Sequence, residues 1–528
     1  ENNGDLDPGS TLAYEVQVFD QFGNLIPTAP YEIWTEPAGG TFDSDRVRFL
    51  TEGVFDIIAE IEGTPLRATA GPFIVDSSGP IIEITSPERG IATTSSQVTV
   101  TGTVYDTVTD VDSLTVGDAK LPIGAGGNFS LVIDAEPGIN LIEVTAVDSE
   151  GHTSTAYQAF LYAPFFSSRD TTFTNALGVR LNQQSIDFIE EQVEGLVDIN
   201  AIRQELEGMR VWGRSCVNLL FGDACAWVDI DRFTSSSLDV QLQPTSSGYL
   251  QLTARLYNPY VRVKVDTNIT GAVYPYISAD RATVSARATL SVNNGNIQVG
   301  LTNVSVSLSG FDMGLSSLPG WLNDILTLGD LLSGLVRDEL EDVIKDEIVS
   351  AAGPAIDGAL TELELGTTLH LLGSDIRVDV EPQYFSIDNS GVTMALKSKI
   401  RALDIDPRIE GTGIPRTTAS IPSFGTTPGF HIAVSDDFLN QAIYALWESG
   451  LINRVVDEQI GDLDLSFLEY LIPDATGFEF EVDPILPPVI VPKSTANSQA
   501  ELQVGDMLLD IYAIRNGSRT LVTRVAVS

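Results

Sequence analysis

The chain of 528 residues is too long for one ordinary core, so we expect at least three domains. Hydrophobic residues make up 43% of it, which is typical of a globular protein and excludes a disordered one. Its 73 acidic side chains outnumber its 29 Lys and Arg, which gives a formal net charge of -44. This charge excludes nucleic acid as a binding partner and gives no attraction to anionic lipid headgroups. We interpret this charge as a solvated acidic surface of the kind found in proteins that work in salty water.

The first 163 residues predict β-sandwiches, because short alternating apolar segments recur there between turn signals. The phrase AVDSEGHTSTA from Ala146 resembles the penultimate hairpin of bacterial immunoglobulin-like domains, and FDQFGNLIP from Phe19 resembles an early motif of invasin-type repeats. We therefore predict two immunoglobulin-like domains, over residues 1–77 and 78–164. Such short motifs indicate architecture and not function.

Two groups of acidic side chains in these modules raise a calcium hypothesis. They are Asp5 and Asp7 beside Asn3, and Asp106, Asp110 and Asp112 in YDTVTDVDSL. Neither matches the twelve-residue EF-hand loop, and acidic clusters arise by chance in a chain with 73 acidic residues. We predict no resident cofactor and no metal site, and calcium remains the weaker alternative.

The two cysteines, Cys216 and Cys225, stand close together in RSCVNLLFGDACAW. Two thiols are too few for a closed zinc site. We predict an intrachain disulfide, which implies an oxidising compartment. Two reduced thiols that pack as small hydrophobic side chains are the alternative.

Beyond residue 164 the pattern mixes helical and strand-like segments. Apolar side chains recur at helical spacing over residues 181–209, and a longer apolar helical face covers residues 319–350. Gly353-Pro354 is predicted to end the second helix, and long alternating strands follow each helix.

The last part of the chain begins with a proline-rich stretch that predicts an extended linker. A third helix is predicted to start at Ser435, which is a suitable N-cap. The chain closes on a predicted hairpin that turns at Asn516-Gly517.

Three stretches and one proline pair, taken in chain order, carry a family resemblance. They are the opening of the first helix (Arg180, Leu181, Gln183, Gln184, Ile186, Asp187), the GWL of Gly320, Trp321 and Leu322, the phrase of Ser435, Asp436, Phe438, Asn440 and Ala442, and Pro487-Pro488. In this order they resemble the family of bactericidal/permeability-increasing protein and lipopolysaccharide-binding protein, part of the tubular lipid-binding superfamily. The antibacterial members are strongly basic at one tip, and this chain has no basic cluster, so bacterial killing is not expected.

After the two all-β immunoglobulin-like sandwiches predicted above, the resemblance implies an α+β tubular lipid-binding region, in which long amphipathic helices are wrapped by twisted antiparallel sheet. The expected domains after the sandwiches are a first tubular domain over 165–405, a Pro-rich linker over 406–429 and a second tubular domain over 430–528. In the family, further strands and a closing helix follow such a hairpin, so we expect the last domain to be incomplete.

A wide apolar helix face under a curved sheet leaves an elongated apolar slot when the sheet cannot close on it, and such a slot suits acyl chains. We therefore predict a phospholipid or another acyl lipid as the ligand and non-enzymatic lipid binding or transfer as the function, with transfer, storage and sensing left open. The predicted walls of the slot are Ile186, Ile189, Val193, Leu196, Trp321, Ile325, Leu332, Leu335, Phe438 and Leu446. The alternative for each of these side chains is ordinary core packing.

The motifs do not indicate an enzyme, so no catalytic residue is predicted. The histidines, His152, His370 and His431, are scattered, and neither an HExxH motif nor a G-x-S-x-G elbow occurs. The stronger alternative to lipid binding is a surface adhesin or scaffold with an immunoglobulin-like stalk and a protein- or glycan-binding module.

Both functions predict a protein that is secreted, periplasmic or on the outer cell surface, with its export signal removed before this numbering begins. Outer-membrane or cell-surface components are then the candidate partners of the immunoglobulin-like domains.

Overall fold

The computed structural model of the protein consists mainly of strands, which hold 56% of the chain, whereas helices hold 14%. The structure describes residues 6–219, 222–314, 328–361, 365–371, 373–417, 420–422, 424–425, 427, 429–452, 454–457, 472, 475–493, 500–515 and 517–527. The chain divides into two compact units. The first unit comprises Glu1–Ser168, Asp404–Thr417 and Ile443–Ser528, and the second comprises Arg169–Leu403 and Thr418–Ala442.

The first unit begins with a sandwich of two three-stranded sheets. In spatial order these are β1 (Thr11–Ala13), β4 (Arg46–Phe49) and β3 (Gly40–Asp43), and β2 (Tyr31–Glu36), β5 (Gly53–Ile61) and β6 (Arg67–Val75). The alternating strands turn one set of side chains inward, where Val47, Phe49, Phe55, Ile57 and Val75 form the core.

A second, larger sandwich follows. One sheet has the order β11 (Ala119–Leu121), β10 (Val111–Val116), β13 (Gly138–Asp148), β14 (Thr153–Tyr162) and β8 (Ala92–Thr93), and the other has β12 (Asn128–Asp134), β9 (Gln97–Tyr105) and β7 (Ile81–Ser86). The core between them includes Val100, Leu114, Val144 and Phe160. These two modules confirm the predicted immunoglobulin-like β architecture at the start of the chain.

The remaining strands of the first unit come from the C-terminal part of the chain and its linker, except for β15, which directly follows the second sandwich. They form a four-stranded sheet, β31 (Arg454–Asp457), β32 (Phe478–Pro484), β35 (Met507–Arg515) and β36 (Ser518–Val527), and the pairs β33 (Val489–Pro492) with β34 (Ala500–Gln503) and β15 (Phe165–Ser167) with β29 (Ile414–Arg416). Strand β36 lies at the edge of its sheet with Leu521 and Val525 exposed. The expected incompleteness of the last domain stays a prediction.

The second unit contains three antiparallel sheets. The first has the order β26 (Leu365–Leu371), β27 (Ser374–Asp388), β28 (Gly391–Ala402), β16 (Phe173–Asn182) and β30 (Phe430–Val434). The second has the order β17 (Arg210–Leu219), β18 (Gly222–Thr234), β21 (Tyr260–Thr267), β22 (Tyr276–Ser278) and β25 (Asp312–Gly314). The third has the order β19 (Ser237–Pro244), β20 (Leu250–Tyr257), β23 (Arg281–Asn293) and β24 (Asn296–Ser309).

The described part of the chain has four α-helices: α1 (Gln183–Leu196), α2 (Ile199–Leu206), α3 (Leu328–Thr361) and α4 (Asp436–Glu448). As predicted, Ser435 caps α4, because its hydroxyl accepts a hydrogen bond from the Phe438 N–H at 3.1 Å. No described helix contains an apolar stretch long enough to cross a membrane.

The predicted α+β tubular class is wrong. Strands hold 56% of the residues and helices hold 14%. The helices of the second unit pack into one continuous core together with the strands. Among the described helices only α3 exceeds 14 residues, so long paired helices do not organise the region. The prediction gave two helical stripes more weight than the many alternating strands between them. Those strands build the sheets, and their inward side chains also build the core.

The predicted end of the second helix is also wrong. Helix α3 continues through Pro354 to Thr361. A proline lacks the N–H that would bond one turn back, which normally ends a helix. Here Ile356 and Leu360 lie beyond it in the core, and their burial offsets the lost hydrogen bond.

Candidate functional site

The side chains predicted to bind lipid do not line one open surface. Ile186, Ile189 and Val193 are buried in the core of the second unit, whereas Leu196 is 56% exposed. The partly buried ones are Leu335, Phe438 and Leu446. Trp321, Ile325 and the side chain of Leu332 lie outside the described residues.

Helix α1 packs along the edge of a sheet. Glu190 accepts a hydrogen bond from the Leu242 N–H at 2.6 Å, and Glu194 accepts one from the Val240 N–H at 2.6 Å. Both donors belong to β19, whose outer edge would otherwise present unpaired N–H groups. Burial raises the pKa of Glu190, although the hydrogen bond from Leu242 opposes that rise.

A cluster of tyrosines lies on the outer face of the sheet that contains β21 and β22. Tyr260 and Tyr276 stack with their ring centroids 5.6 Å apart, and the Arg262 guanidinium lies 5.5 Å from the ring centroid of Tyr274. We call these four residues the tyrosine face. They occupy outward positions because Val261 and the other alternate residues of β21 point into the core.

Gly314 allows Tyr276 to lie flat across the neighbouring strand. The two residues are paired in register between β22 and β25. A Cβ atom at Gly314 would stand 2.1 Å from a ring carbon of Tyr276, so any other residue would displace the ring. An aromatic ring that covers a strand glycine is a recurrent packing solution in sheets.

Ion pairs surround the tyrosine face on the same side of the sheet. Arg262 donates to Asp231, Lys264 pairs with Asp266 at 2.7 Å, and Arg210 donates to both carboxylate oxygens of Asp229 at 2.7 and 3.2 Å. The hydrogen bond to Asp266 raises the pKa of Lys264. Each cation has an acidic partner, so the polar groups are held in place and the local charge is balanced.

Two cavities of the first unit are also candidates. One, of about 540 Å³, lies in the first sandwich between residues 12–17 and strand β6. The other, of about 530 Å³, is lined by Arg89, Arg408, Trp447 and Asp483 among others. Arg408 bonds with Asp406 and Glu481, which commits its charge to the fold.

Among the described residues, one group has the donor atoms for a metal ion: Asp76, Asp148 and His152. One of the acidic residues that suggested calcium, Asp106, bonds to the backbone of its own turn, where it accepts hydrogen bonds from the N–H groups of Val108 and Thr109. Asp5 and Asn3 lie outside the described residues.

The predicted disulfide is confirmed. Cys216 and Cys225 face each other on β17 and β18 with their Cα atoms 3.9 Å apart. The other two histidines have local polar contacts, His370 with Asp375 and His431 with the Thr427 carbonyl.

The tyrosine face was not predicted from the sequence. The available signal was the pair of phrases YNPYVRVKVD and VYPYIS, in which tyrosines alternate with buried positions next to charged residues. That signal shows which side chains point outward, but it does not show that two separate phrases become neighbouring strands.

Comparison with known proteins supports the immunoglobulin-like part of the chain. Residues 80–160, which lie in the second sandwich, match the family model of glucodextranase, domain B. No curated protein matches the chain.

Three solved structures are similar to the chain at low scores. The crystal structure of lipopolysaccharide binding protein is 15% identical with a TM-score of 0.37 and covers 66% of this chain and 78% of that one. Fibronectin(III)-like modules of Clostridium thermocellum CbhA are 12% identical with a TM-score of 0.15, covering 30% and 89%. P47 of Clostridium botulinum E1 is 7% identical with a TM-score of 0.19, covering 68% and 81%. These scores are too low to carry a functional argument.

Proposed function

We propose that the chain is a non-enzymatic adhesin or scaffold of the cell surface or extracellular space, in which immunoglobulin-like modules accompany a glycan-binding unit. The observation that carries this proposal is the tyrosine face, a set of partly exposed stacked rings framed by fixed polar groups. The disulfide adds support for an oxidising compartment.

The chemistry of the face suits a sugar chain. Aromatic rings offer flat apolar surfaces to the C–H face of a pyranose, while carboxylate and guanidinium groups bond to its hydroxyls. Tyr274 is 48% exposed, so its ring is accessible. Because Arg262 and Asp231 already hold each other, little side-chain entropy is lost on binding.

The balanced charge points to a neutral glycan. Three acid–base pairs lie beside the rings, and neither sign dominates the face. The family matched by the second module is named after glucodextranase, so dextran is the first neutral glycan to test.

The helix contacts favour this function over lipid transfer. An acyl slot along α1 would need Ile186, Ile189 and Val193 to face open volume, and all three are buried among other core side chains. The same apolar area that would hold an acyl chain is thus already removed from water by the fold.

The test is binding of the full chain to immobilised dextran and to a panel of neutral and acidic polysaccharides. Tyr260→Leu and Tyr276→Leu keep apolar bulk but lose the ring faces, and we expect each to weaken binding about fivefold, since stacking of a ring contributes roughly 1 kcal/mol. Tyr249→Leu is the matched control, because Tyr249 also lies under an arginine, at 4.8 Å, but in the turn between β19 and β20.

Binding that is weakened in Tyr260→Leu and Tyr276→Leu and kept in the control supports the proposal. No retention on any polysaccharide overturns it. Native mass spectrometry of the freshly purified chain provides the second arm, and one stoichiometric acyl lipid per chain would favour lipid transfer instead.

A further inference from the structure

Two separate parts of the first unit, the end of the first sandwich and the turn between β13 and β14, meet at one polar site. Asp76 directly follows β6 at the end of the first sandwich, Asp148 ends β13 of the second sandwich, and His152 precedes β14. One oxygen or nitrogen atom of each side chain lies within 4.8 Å of the others. The site therefore joins the two immunoglobulin-like modules.

The two carboxylates are almost fully removed from solvent, with Asp76 1% and Asp148 2% exposed. Asp76 has no ion pair among the described residues; it accepts hydrogen bonds from the Thr109 hydroxyl and the Ser78 N–H, both at 3.2 Å. A buried carboxylate without a cation is costly, and hydrogen bonds from neutral groups offset only part of that cost. Asp148 lies beside Asp76, and its ion-pair partner is the His152 imidazole of the same site. A positive ion shared by the three side chains would offset the cost of burying both carboxylates.

The donor set indicates the kind of cation. One oxygen of Asp148 accepts three backbone N–H groups, from Glu150, Gly151 and His152, while its second oxygen lies 3.0 Å from the His152 Nδ1. Carboxylate oxygens and an imidazole nitrogen suit zinc, whereas calcium prefers oxygen donors alone.

We propose that Asp76, Asp148 and His152 bind one zinc-type divalent transition-metal ion that clamps the first immunoglobulin-like module to the second. Zinc bonds of about 2.0–2.2 Å place two donors at most about 4.4 Å apart, so small side-chain rotations suffice to close the site. The His152 side chain is 23% exposed, which leaves room for a water molecule as the fourth ligand and a path for the ion. The inference goes beyond the proposed function and does not depend on it.

The experiment measures zinc binding to the full chain by isothermal titration calorimetry, with the metal content of the dialysed protein as a second readout. A chain with a net charge of -44 attracts cations loosely at many carboxylates, so the titration is made at high ionic strength, which screens those exposed sites. We expect one tight site per chain and a rise in the unfolding temperature of the first unit when zinc is present.

His152→Gln and Asp76→Asn are expected to weaken the tight site at least about tenfold, since even residues that only orient a ligand typically change metal affinity 10–100-fold. Asp112→Asn and His370→Gln are the matched controls, because both side chains are exposed and neither belongs to the site. Circular dichroism and limited proteolysis verify that each variant is folded, and His152→Gln tests the site if Asp76→Asn does not fold.

Loss of the tight site in the two site variants alone supports the proposal. The absence of a stoichiometric tight site overturns it, as does tight zinc binding that persists in His152→Gln. Calcium that competes equally with zinc would indicate an all-oxygen site and would also contradict the proposed ligand set.

Discussion

The Glu190 carboxylate on α1 accepts a hydrogen bond from the Leu242 N–H on β19, at 2.6 Å, and Glu194 repeats the contact one turn later with Val240. Two carboxylates spaced four residues apart on a helix thus satisfy two N–H groups spaced two residues apart on a strand edge. This match fastens the helix to the sheet and accounts for the burial of its apolar face.

Glu190→Gln is expected to stabilise the second unit at neutral pH. Burial raises the pKa of Glu190 in the folded state above its ordinary value of 4.5, so the folded state binds more protons there than the unfolded state. Native stability therefore falls as the pH rises from about 4.5 through the raised pKa, and the penalty is fully present above it. The glutamine keeps the acceptor oxygen for Leu242 and removes the charge.

The measurement for Glu190→Gln is the free energy of unfolding in urea over a pH series. The variant should equal the wild type below about pH 4 and exceed it at pH 7. Glu191→Gln, on the exposed side of α1, is the control and should show no such trend. A variant that is less stable than the wild type at pH 7 contradicts the prediction.

Asp388→Asn is expected to destabilise the second unit at neutral pH. The hydrogen bond from the Arg180 guanidinium, at 2.6 Å, holds the pKa of Asp388 well below its ordinary value of 3.8. The carboxylate therefore contributes stability that is present above about pH 4 and is lost as the pH falls through the depressed pKa. Because Asp388 is about half exposed, we expect a loss below about 1 kcal/mol at pH 7.

Urea unfolding over a series from pH 7 down to pH 2 measures the effect of Asp388→Asn, and the difference between the variant and the wild type should narrow progressively below about pH 4. Asp346→Asn, an exposed residue of α3, serves as the comparison. A loss that stays constant over the whole pH series would show that the contact is not electrostatic.

Replacing both cysteines by alanine is expected to destabilise the second unit by about 2–3 kcal/mol, the chain-entropy value for a short closed loop. Cys216 and Cys225 are separated by 9 positions in sequence. Thermal unfolding measures the change, and a reducing agent should lower the transition of the wild type while leaving the double variant unaffected. A wild type that is insensitive to full reduction would disprove the stabilising role.

Gly314→Ala is expected to disturb the tyrosine face while the sheet stays folded. The new methyl group would collide with the Tyr276 ring, so the stacking on Tyr260 is lost. We expect an altered near-ultraviolet circular dichroism signal and weaker binding of the glycan that the wild type retains. Gly213→Ala, on β17 of the same sheet, is the control because its Cβ meets no atom within 4 Å. An unchanged tyrosine signal in Gly314→Ala contradicts the packing argument.

Local patterns predicted several features correctly. The alternation around Val98 and Val144 predicted sandwich strands, Ser435 predicted a helix start, and the spacing of Cys216 and Cys225 predicted their bond. Each of these depends on side chains that are neighbours along the chain or on one face of one element, where the period of two or of 3.6 residues is directly readable.

The sequence by itself determined which faces of each segment are apolar, and hence that Ile186, Ile189 and Val193 belong together. Only the tertiary structure decided what covers that face, because burial against a lipid and burial against a strand remove the same apolar area from water. The same holds for polar sites. Asp76 and His152, and Tyr260 and Tyr276, are distant or unremarkable in the chain, and they meet because strand pairing and module contacts join segments whose separation leaves no local pattern.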